Sequence, residues 1–129
     1  MTTSAARTEL TADELAYLRE PHLGRLATVD AHGRPQANPV GYHLREDGTV
    51  DIAGFAMGTT KKWRNIAANP HVSLVVDDMA RLGDARTARG VEIRGTAEQV
   101  VGPHGYGAHL SEELIRIRPY KIISWNLSR

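Results

Sequence analysis

Two adjacent lysines stand where a short helix is predicted to begin, a position that favours the binding of an anion. Thr60 is a good N-cap residue, and Lys61 and Lys62 occupy the first turn after it. The unpaired backbone N–H groups and the positive end of the helix dipole attract negative charge there. The pattern predicts a ligand phosphate bound by these amides, by the hydroxyl groups of Thr59 and Thr60 and by one or both lysines. On these residues alone, the alternative is a solvated lysine pair on a surface helix.

The rest of the sequence offers no constellation for hydrolytic or metal-based catalysis. No serine lies in a Gly-x-Ser-x-Gly elbow, and the absence of cysteine excludes disulfides and cysteine-metal sites. No metal site is predicted, because no metal-ligand spacing occurs among the six histidines, which are His22, His32, His43, His71, His104 and His109. The chemistry is therefore expected to come from a bound organic cofactor.

Length and composition limit the kinds of partner. The 129 residues correspond to one domain, which we expect to span residues 1–129. A formal net charge of +1 gives no strong field for nucleic acid or an anionic membrane. The first residues contain no apolar targeting segment, and no run approaches the roughly 20 apolar residues of a membrane span. These features predict a cytoplasmic protein that binds neither nucleic acid nor membrane.

Two short helices are predicted from capping and stop signals. The first covers Leu10–Glu20, where Thr11 and Glu14 form a capping box, and it is expected to act as a lid or plug. The second follows Thr60 and ends at Asn69-Pro70, because a residue before proline is excluded from the α region. Its inward face is predicted to consist of Trp63, Ile66 and Ala67.

Six or seven short strands account for most of the remaining chain. They are predicted over Leu23–Val29, Arg34–Leu44, Thr49–Phe55, His71–Asp77, Val91–Val101 and, as two strands or one bent strand, Glu113–Pro119 with Tyr120–Leu127. The nearly continuous apolar run of His71–Asp77 predicts a strand covered on both faces. The polar segment Asp78–Gly90 is predicted to be a long loop. Together the elements predict a mainly β fold, a small antiparallel β-barrel with short helices.

Prolines mark the second strand as unusual. Pro35 and Pro39 cannot donate hydrogen bonds to a ladder. The segment Pro35–Gly41 is therefore predicted to be an edge or a bulge whose backbone groups are free for a ligand. The alternative is an ordinary edge strand protected by proline.

The run Thr60–Leu74 resembles a family signature, in which a Ser-Arg-Lys run is followed by a helix, an Asn-Pro pair and a Val-Ser-Leu strand. The signature is that of the pyridoxamine phosphate oxidase-like split β-barrel superfamily. Its small members bind flavin mononucleotide (FMN) or the deazaflavin coenzyme F420. The resemblance covers nearly the whole chain and implies a six- to seven-stranded antiparallel Greek-key split β-barrel of the FMN-binding type.

The resemblance also implies which residues bind the cofactor. Thr60, Lys61 and Lys62 take the phosphate-binding positions. The segment Asn38–Tyr42 runs along the flavin ring, and Phe55–Ala56 meets the ring from the next strand. The full predicted set is Gln36, Asn38, Pro39, Val40, Gly41, Tyr42, Phe55, Ala56, Thr59, Thr60, Lys61, Lys62, Asn65 and Trp125.

The end of the chain resembles the deazaflavin-dependent branch, in which a strand ending in Ser124-Trp125 closes the short barrel. The Arg-x-His clamp for pyridoxal phosphate is missing, and Gly90 replaces a flavin-contacting glutamine of the vitamin-processing oxidases. Pyridoxamine phosphate oxidase activity is therefore not predicted. Members of the superfamily pair as homodimers with two cofactor sites at the interface. Trp125 is predicted to reach the partner's cofactor or, alternatively, to be a core or interface tryptophan.

The resemblance implies an oxidoreductase that uses coenzyme F420 to transfer a hydride to or from a small conjugated organic substrate. The alternatives are an FMN-dependent reductase or oxidase and a non-catalytic module that binds flavin or heme. No catalytic side chain is predicted. Tyr42, His43 or Arg89 could donate a proton to the substrate, and a structural role explains each of them equally well.

Overall fold

The structure is a computed structural model that describes residues 6–127, and it is mainly β as predicted. Seven strands form one sheet in the order β2-β1-β5-β6-β7-β4-β3, with every pair antiparallel. Neither helix in this part of the chain is long and apolar enough to cross a membrane. The elements are α1 (Ala12–Arg19), β1 (Gly24–Val29), β2 (Pro35–Val40), β3 (His43–Leu44), β4 (Val50–Ala53), a 3₁₀ turn (Met57–Thr59), α2 (Lys61–Ala68), β5 (His71–Leu82), β6 (Ala85–Val101) and β7 (Glu113–Trp125).

The sheet curls because one short segment of chain joins its two edges. β2 and β3 lie at opposite ends of the strand order, yet only Gly41–Tyr42 separates them along the chain. Val40 of β2 pairs with Gly24 of β1, whereas His43 of β3 pairs with Asp51 of β4. The bend at Gly41–Tyr42 therefore connects the two edges of the curled sheet without pairing them, as in the predicted split barrel. Among the described residues β2 pairs with β1 alone, so its other edge is free, as its prolines predicted.

The core lies inside the curled sheet, and it corrects one prediction. In β5, Val72, Leu74 and Val76 are buried, but Ser73 and Val75 on the other face are only half-buried. The prediction that this strand is covered on both faces was therefore wrong, because this antiparallel strand buries only one face. The largest side chains that are fully buried include Leu26, Ile52, Met57, Leu74, Ile93, Leu114, Ile115 and Ile117.

The prediction of a long loop over Asp78–Gly90 was wrong. β5 and β6 continue through it as a hairpin that pairs Asp78 with Arg89 and ends at a two-residue turn, where Gly83 has a φ of +60°. Arg89 Nε lies 2.8 Å from Asp78 Oδ1, and Tyr17 of α1 donates a 2.7 Å hydrogen bond to the same oxygen. The polar composition of this segment thus reflects pairs of charges between strands rather than irregular structure.

The last strand is one bent strand, which was one of the two alternatives predicted. Arg94 pairs with Lys121 and Gly95 with Pro119, so Tyr120 is an extra residue on β7. A bulge of this kind bends the strand and increases its twist. The bend helps β6 and β7 to follow the curvature of the barrel.

Helix α1 is a plug that closes the barrel. Its capping box is present, since the backbone N–H of Glu14 donates to Thr11 Oγ1 and the N–H of Thr11 donates to Glu14 Oε1. Tyr17 and Leu18 are each 3% exposed, and they pack in the core. Glu14 is fully buried and receives two hydrogen bonds from Arg7, one of them 2.7 Å long. These contacts hold the helix in place.

Stability is expected to decrease in acid because of Glu14. Burial alone would raise the pKa of Glu14, but hydrogen bonds from Arg7, Ser124 and the Thr11 amide lower it from 4.5 to about 2. A pKa that is lower in the folded state stabilises the protein above the unfolded pKa, and this stabilisation is lost as the pH falls towards 2. We expect the free energy of unfolding in urea to fall over this range. Glu14→Gln should flatten this part of the profile, and an identical profile for the two proteins would contradict the assignment.

Candidate functional site

Helix α2 begins and ends as predicted. Thr60 is the N-cap, and its Oγ1 accepts a 3.3 Å hydrogen bond from the backbone N–H of Trp63. Ile66 is buried and Trp63 is half-buried, but Ala67 is exposed, so the predicted inward face was wrong at that position. Asn65 is buried instead, and its Nδ2 donates a 3.0 Å hydrogen bond to Thr28 Oγ1 in β1. This contact fixes α2 against the sheet.

The first turn of α2 offers several donors to an anion. Lys61 is exposed and Lys62 is half-buried, and neither makes a side-chain hydrogen bond or an ion pair within residues 6–127. Their backbone N–H groups also lack partners in this part of the chain. The carboxylate of Asp30 has a lowered pKa because of a hydrogen bond from the Arg34 amide and, as a smaller cause, the charge of Lys61. Lys61 therefore lies near the turn between β1 and β2.

The first half of β2 is linked to this helix through β1. Gln36 pairs with Thr28, which holds Asn65 of α2. Gln36 Oε1 is buried and accepts no hydrogen bond within the described residues. A ring N–H or a ribityl hydroxyl group of a flavin-type cofactor is a suitable donor for such an oxygen. The residues at this end of β2 therefore fit the predicted group.

The predicted ring-binding segment continues along β2 away from α2. Asn38 is half-buried, whereas Pro39 and Gly41 are exposed. The side chain of Val40 is 7% exposed and packs in the core, so that only its backbone can meet a ligand. Tyr42 donates a 2.8 Å hydrogen bond to the carbonyl of Leu18 in α1. From Gln36 to Val40, β2 extends for about 13 Å before the bend at Gly41–Tyr42.

The second predicted ring contact lies in the turn that leads from β4 to α2. Phe55 is 77% exposed, and its ring centroid is 5.4 Å from that of His109. If the pairing of β3 with β4 continued for four more residues, Phe55 would lie opposite Pro39. The bend at Gly41–Tyr42 takes β2 onto β1 instead, so these two segments diverge. This divergence separates the two predicted ring contacts, Asn38–Tyr42 and Phe55–Ala56.

Two residues that the sequence analysis did not identify hold this turn. Ser111 Oγ accepts a 3.0 Å hydrogen bond from the Met57 amide and donates one of 3.2 Å to the Gly54 carbonyl. Glu113 Oε1 accepts a 3.3 Å hydrogen bond from the Gly58 amide. Both residues follow Gly54–Gly58 by more than 50 positions. No local pattern could have indicated these contacts.

Ser111→Ala is expected to weaken cofactor binding about fivefold, because it removes hydrogen bonds worth about 1 kcal/mol that position the turn before α2. Fluorescence titration with coenzyme F420 gives the dissociation constant. Ser73→Ala is the matched control, since Ser73 donates to Glu92 on β6, away from this turn. A change in the melting temperature without any change in affinity would show that Ser111 is structural only.

Within one chain, Trp125 lies far along the sheet from the predicted phosphate site on α2. It pairs with Gly90 on β6, whereas α2 contacts the far end of that strand, where Gln99 Nε2 donates a 2.9 Å hydrogen bond to the Trp63 carbonyl. Nine positions separate Gly90 from Gln99, or about 30 Å of strand. A Cβ atom on Gly90 would lie 2.8 Å from Trp125 Cζ2, so glycine at this position makes room for the tryptophan ring.

The three candidate proton donors have different surroundings. The hydroxyl group of Tyr42 donates a hydrogen bond to the Leu18 carbonyl, and burial is the main reason that the pKa of Tyr42 is raised to about 12. Arg89 forms a bidentate ion pair with Asp78. The His43 ring stacks on another ring in a cleft, and burial is the main cause of its lowered pKa. None of these contacts assigns a catalytic role.

Comparisons with known proteins agree with this fold. Residues 10–122 match the model of a family described as pyridoxamine 5′-phosphate oxidase. A 5a,11a-dehydrotetracycline/5a,11a-dehydrooxytetracycline reductase of Streptomyces rimosus subsp. rimosus is 42% identical over 119 residues, which cover 91% of this chain and 83% of the relative.

Two solved structures show the same fold. An F420 reductase is 26% identical with a TM-score of 0.67, and the alignment covers 88% of this chain and 98% of that one. HupZ of group A Streptococcus is 23% identical with a TM-score of 0.72, over 90% of this chain and 94% of that one. At the level of the family, these likenesses support an oxidoreductase with a flavin-type cofactor. The extent of the family match and the identity to the curated relative show that the chain belongs to the pyridoxamine 5′-phosphate oxidase family.

Proposed function

We propose that the protein is a reductase that uses coenzyme F420 to reduce a carbon–carbon double bond conjugated to a carbonyl group. The observation that carries the proposal is the first turn of α2, where Lys61 and Lys62 have no side-chain hydrogen bond or ion pair within the described residues. When bound, the reduced cofactor supplies a hydride to the electron-poor carbon of the acceptor. The protein holds the phosphate, orients the ring along β2 and limits the access of water.

A third cation at the same turn favours coenzyme F420 over FMN. Arg64 is exposed, and its Nη1 donates a 3.1 Å hydrogen bond to the carbonyl of Thr59. FMN ends at its phosphate, whereas coenzyme F420 continues beyond the phosphate into a tail that carries carboxylates. The Arg64 guanidinium is placed beside the proposed phosphate site, where it can pair with that tail.

The acceptor is proposed from the curated relative. The Streptomyces rimosus reductase is named for 5a,11a-dehydrotetracycline, a conjugated polycyclic compound. At 42% identity over most of both chains, an acceptor of the same chemical class is the simplest proposal for this protein.

We also propose a homodimer. The predicted ring-binding face is open in the single chain, and Phe55 is largely exposed there. Trp125 lies about 30 Å along β6 from α2, and we propose that it reaches the cofactor of a partner subunit. Sedimentation equilibrium should give twice the mass of the chain, and a monomer that still binds cofactor would refute this part of the proposal.

Titration of the purified protein with coenzyme F420 and with FMN tests the function. Tighter binding of coenzyme F420, together with oxidation of its reduced form by 5a,11a-dehydrotetracycline, is the expected result. Arg64→Ala should weaken binding of coenzyme F420 and leave the affinity for FMN unchanged. Preferred binding of FMN would favour an FMN-dependent reductase or oxidase, and binding without turnover of any conjugated acceptor would favour a non-catalytic module.

A further inference from the structure

A cleft of about 480 Å³ lies at the edge of the barrel where β2 bends into β3. It runs between the C-terminal end of α1 and the segment Tyr42–Glu46, and Tyr106 closes one side. Its volume is within the range of pockets that hold molecules of drug size. Of the predicted cofactor-binding residues, Tyr42 alone lines it. The cleft therefore begins where the predicted ring-binding segment ends.

One wall of the cleft is a flat stack of rings. The rings of His43 and Tyr106 are 3.9 Å apart and inclined by 12°, and the ring of His104 also stacks on Tyr106 at 5.1 Å. Tyr106 donates a 2.7 Å hydrogen bond to Asp51, whose carboxylate is held by Arg116. The stack is thus fixed in position before a ligand binds, and flat aromatic walls favour flat conjugated ligands.

Charges of both signs surround the opening. Arg19 and Arg45 supply two cations, and Glu20 and Glu46 supply two carboxylates. Arg45 is engaged with Asp47, Thr49 and Asp51. Within residues 6–127, the other three make no side-chain hydrogen bond or ion pair. A ligand that carries both an anionic and a cationic group would match this arrangement.

We propose that this cleft binds the acceptor, a flat conjugated polycycle that carries both an acidic enol and a basic amine. The proposal rests on the proposed function and extends it to the substrate site. The acceptor lies against the ring of His43, with its acidic oxygens towards Arg19 and its amine towards Glu20 or Glu46. The hydride adds to the electron-poor carbon of the double bond, the displaced electron pair moves to the conjugated oxygen as an enolate, and a proton from water completes the reduction. Arg19 stabilises the negative charge that develops on that oxygen.

The test uses the protein loaded with reduced coenzyme F420, with 5a,11a-dehydrotetracycline as the probe. Arg19→Gln should raise the KM for this acceptor about tenfold, because it removes a charged partner, and should leave the dissociation constant of the cofactor unchanged. Two further single variants, Glu46→Gln and Glu20→Gln, test the carboxylates. At least one of them should raise the KM for this acceptor but not for its analogue that lacks the dimethylamino group. Arg81→Gln, an exposed position in the β5–β6 hairpin, is the matched control.

The outcomes separate the two proposals. Failure to bind coenzyme F420 would overturn the proposed function. Normal cofactor binding with an unchanged KM in Arg19→Gln and in both glutamate variants would overturn the assignment of the cleft alone. If no turnover is observed, calorimetry measures the equilibrium binding of the probe to the loaded protein. If the probe does not bind, the proposed acceptor class is wrong.

Discussion

Replacing Lys61 and Lys62 together with alanine is expected to weaken the binding of coenzyme F420 by about 100-fold or more. A hydrogen bond between a charged group and a phosphate contributes about 1.5–3 kcal/mol, so the loss of two such bonds exceeds a factor of 100. The fold should be unaffected, because neither side chain has a hydrogen bond or an ion pair within residues 6–127. Fluorescence titration of the cofactor measures the affinity, and the melting temperature checks the fold.

The third lysine of the chain provides the control for this experiment. Lys121 is exposed on β7, opposite Arg94, and Lys121→Ala removes a positive charge without touching α2. It should leave the affinity for coenzyme F420 unchanged. The phosphate assignment is wrong if the double alanine variant binds coenzyme F420 and FMN as tightly as the unmodified protein does. An equal loss in Lys121→Ala would indicate a general effect of net charge instead.

The elements that could be predicted are those with local signals. A capping box at Thr11 and an N-cap at Thr60 fixed where the helices begin, and Asn69-Pro70 fixed where α2 ends. Pro35 and Pro39 identified an edge strand, because proline lacks the N–H that an interior strand must donate. In each case the information lies within a few residues of the feature.

The elements that could not be predicted depend on contacts between residues that are distant in the sequence. The β5–β6 hairpin looks like a loop because Asp78 and Arg89 neutralise each other across the ladder, and neither residue is typical of a strand. The inward face of α2 was misplaced at Ala67 because Asn65 is satisfied by Thr28, which lies 37 positions earlier. A buried polar side chain can be recognised only when its partner is known.

The candidate site follows the same division. The lysines of α2 and the edge of β2 were predictable, because a helix N-terminus and a proline-containing strand each have a local chemical meaning. The turn contacts of Ser111 and Glu113 required the fold. So did the cleft beside Tyr42, since its lining comes from α1, from the β2–β3 bend and from the loop that carries Tyr106.

The ion pair between Asp51 and Arg116 is expected to have the largest effect on stability. Asp51 is 1% exposed, and Arg116 holds it with Nε and Nη2 at 2.8 and 3.1 Å. Arg116→Ala would leave a buried carboxylate without its main partner, which typically costs about 3–5 kcal/mol. We expect about 3 kcal/mol at neutral pH, because Arg45 Nε remains 3.8 Å from Asp51. Urea unfolding measures the loss.

The pH dependence distinguishes this explanation from a simple loss of packing. Burial alone would raise the pKa of Asp51, but hydrogen bonds from Arg116 and Tyr106 leave it lowered, so the charged carboxylate stabilises the protein above its unfolded pKa of 3.8. In Arg116→Ala the effect of burial should dominate and raise this pKa. The difference in stability between the two proteins should therefore shrink as the pH falls through the acid range.

Two further variants complete this test. Adding Asp51→Asn to Arg116→Ala removes the unpaired charge, so the double variant should be more stable than Arg116→Ala alone. Arg118→Ala is the control, because the ion pair of Arg118 with Glu98 is exposed and should contribute less than about 1 kcal/mol. If Arg116→Ala is no more destabilising than Arg118→Ala, the buried carboxylate does not depend on Arg116. The position of Tyr106, which forms part of the wall of the proposed acceptor cleft, would then have to be held by other contacts.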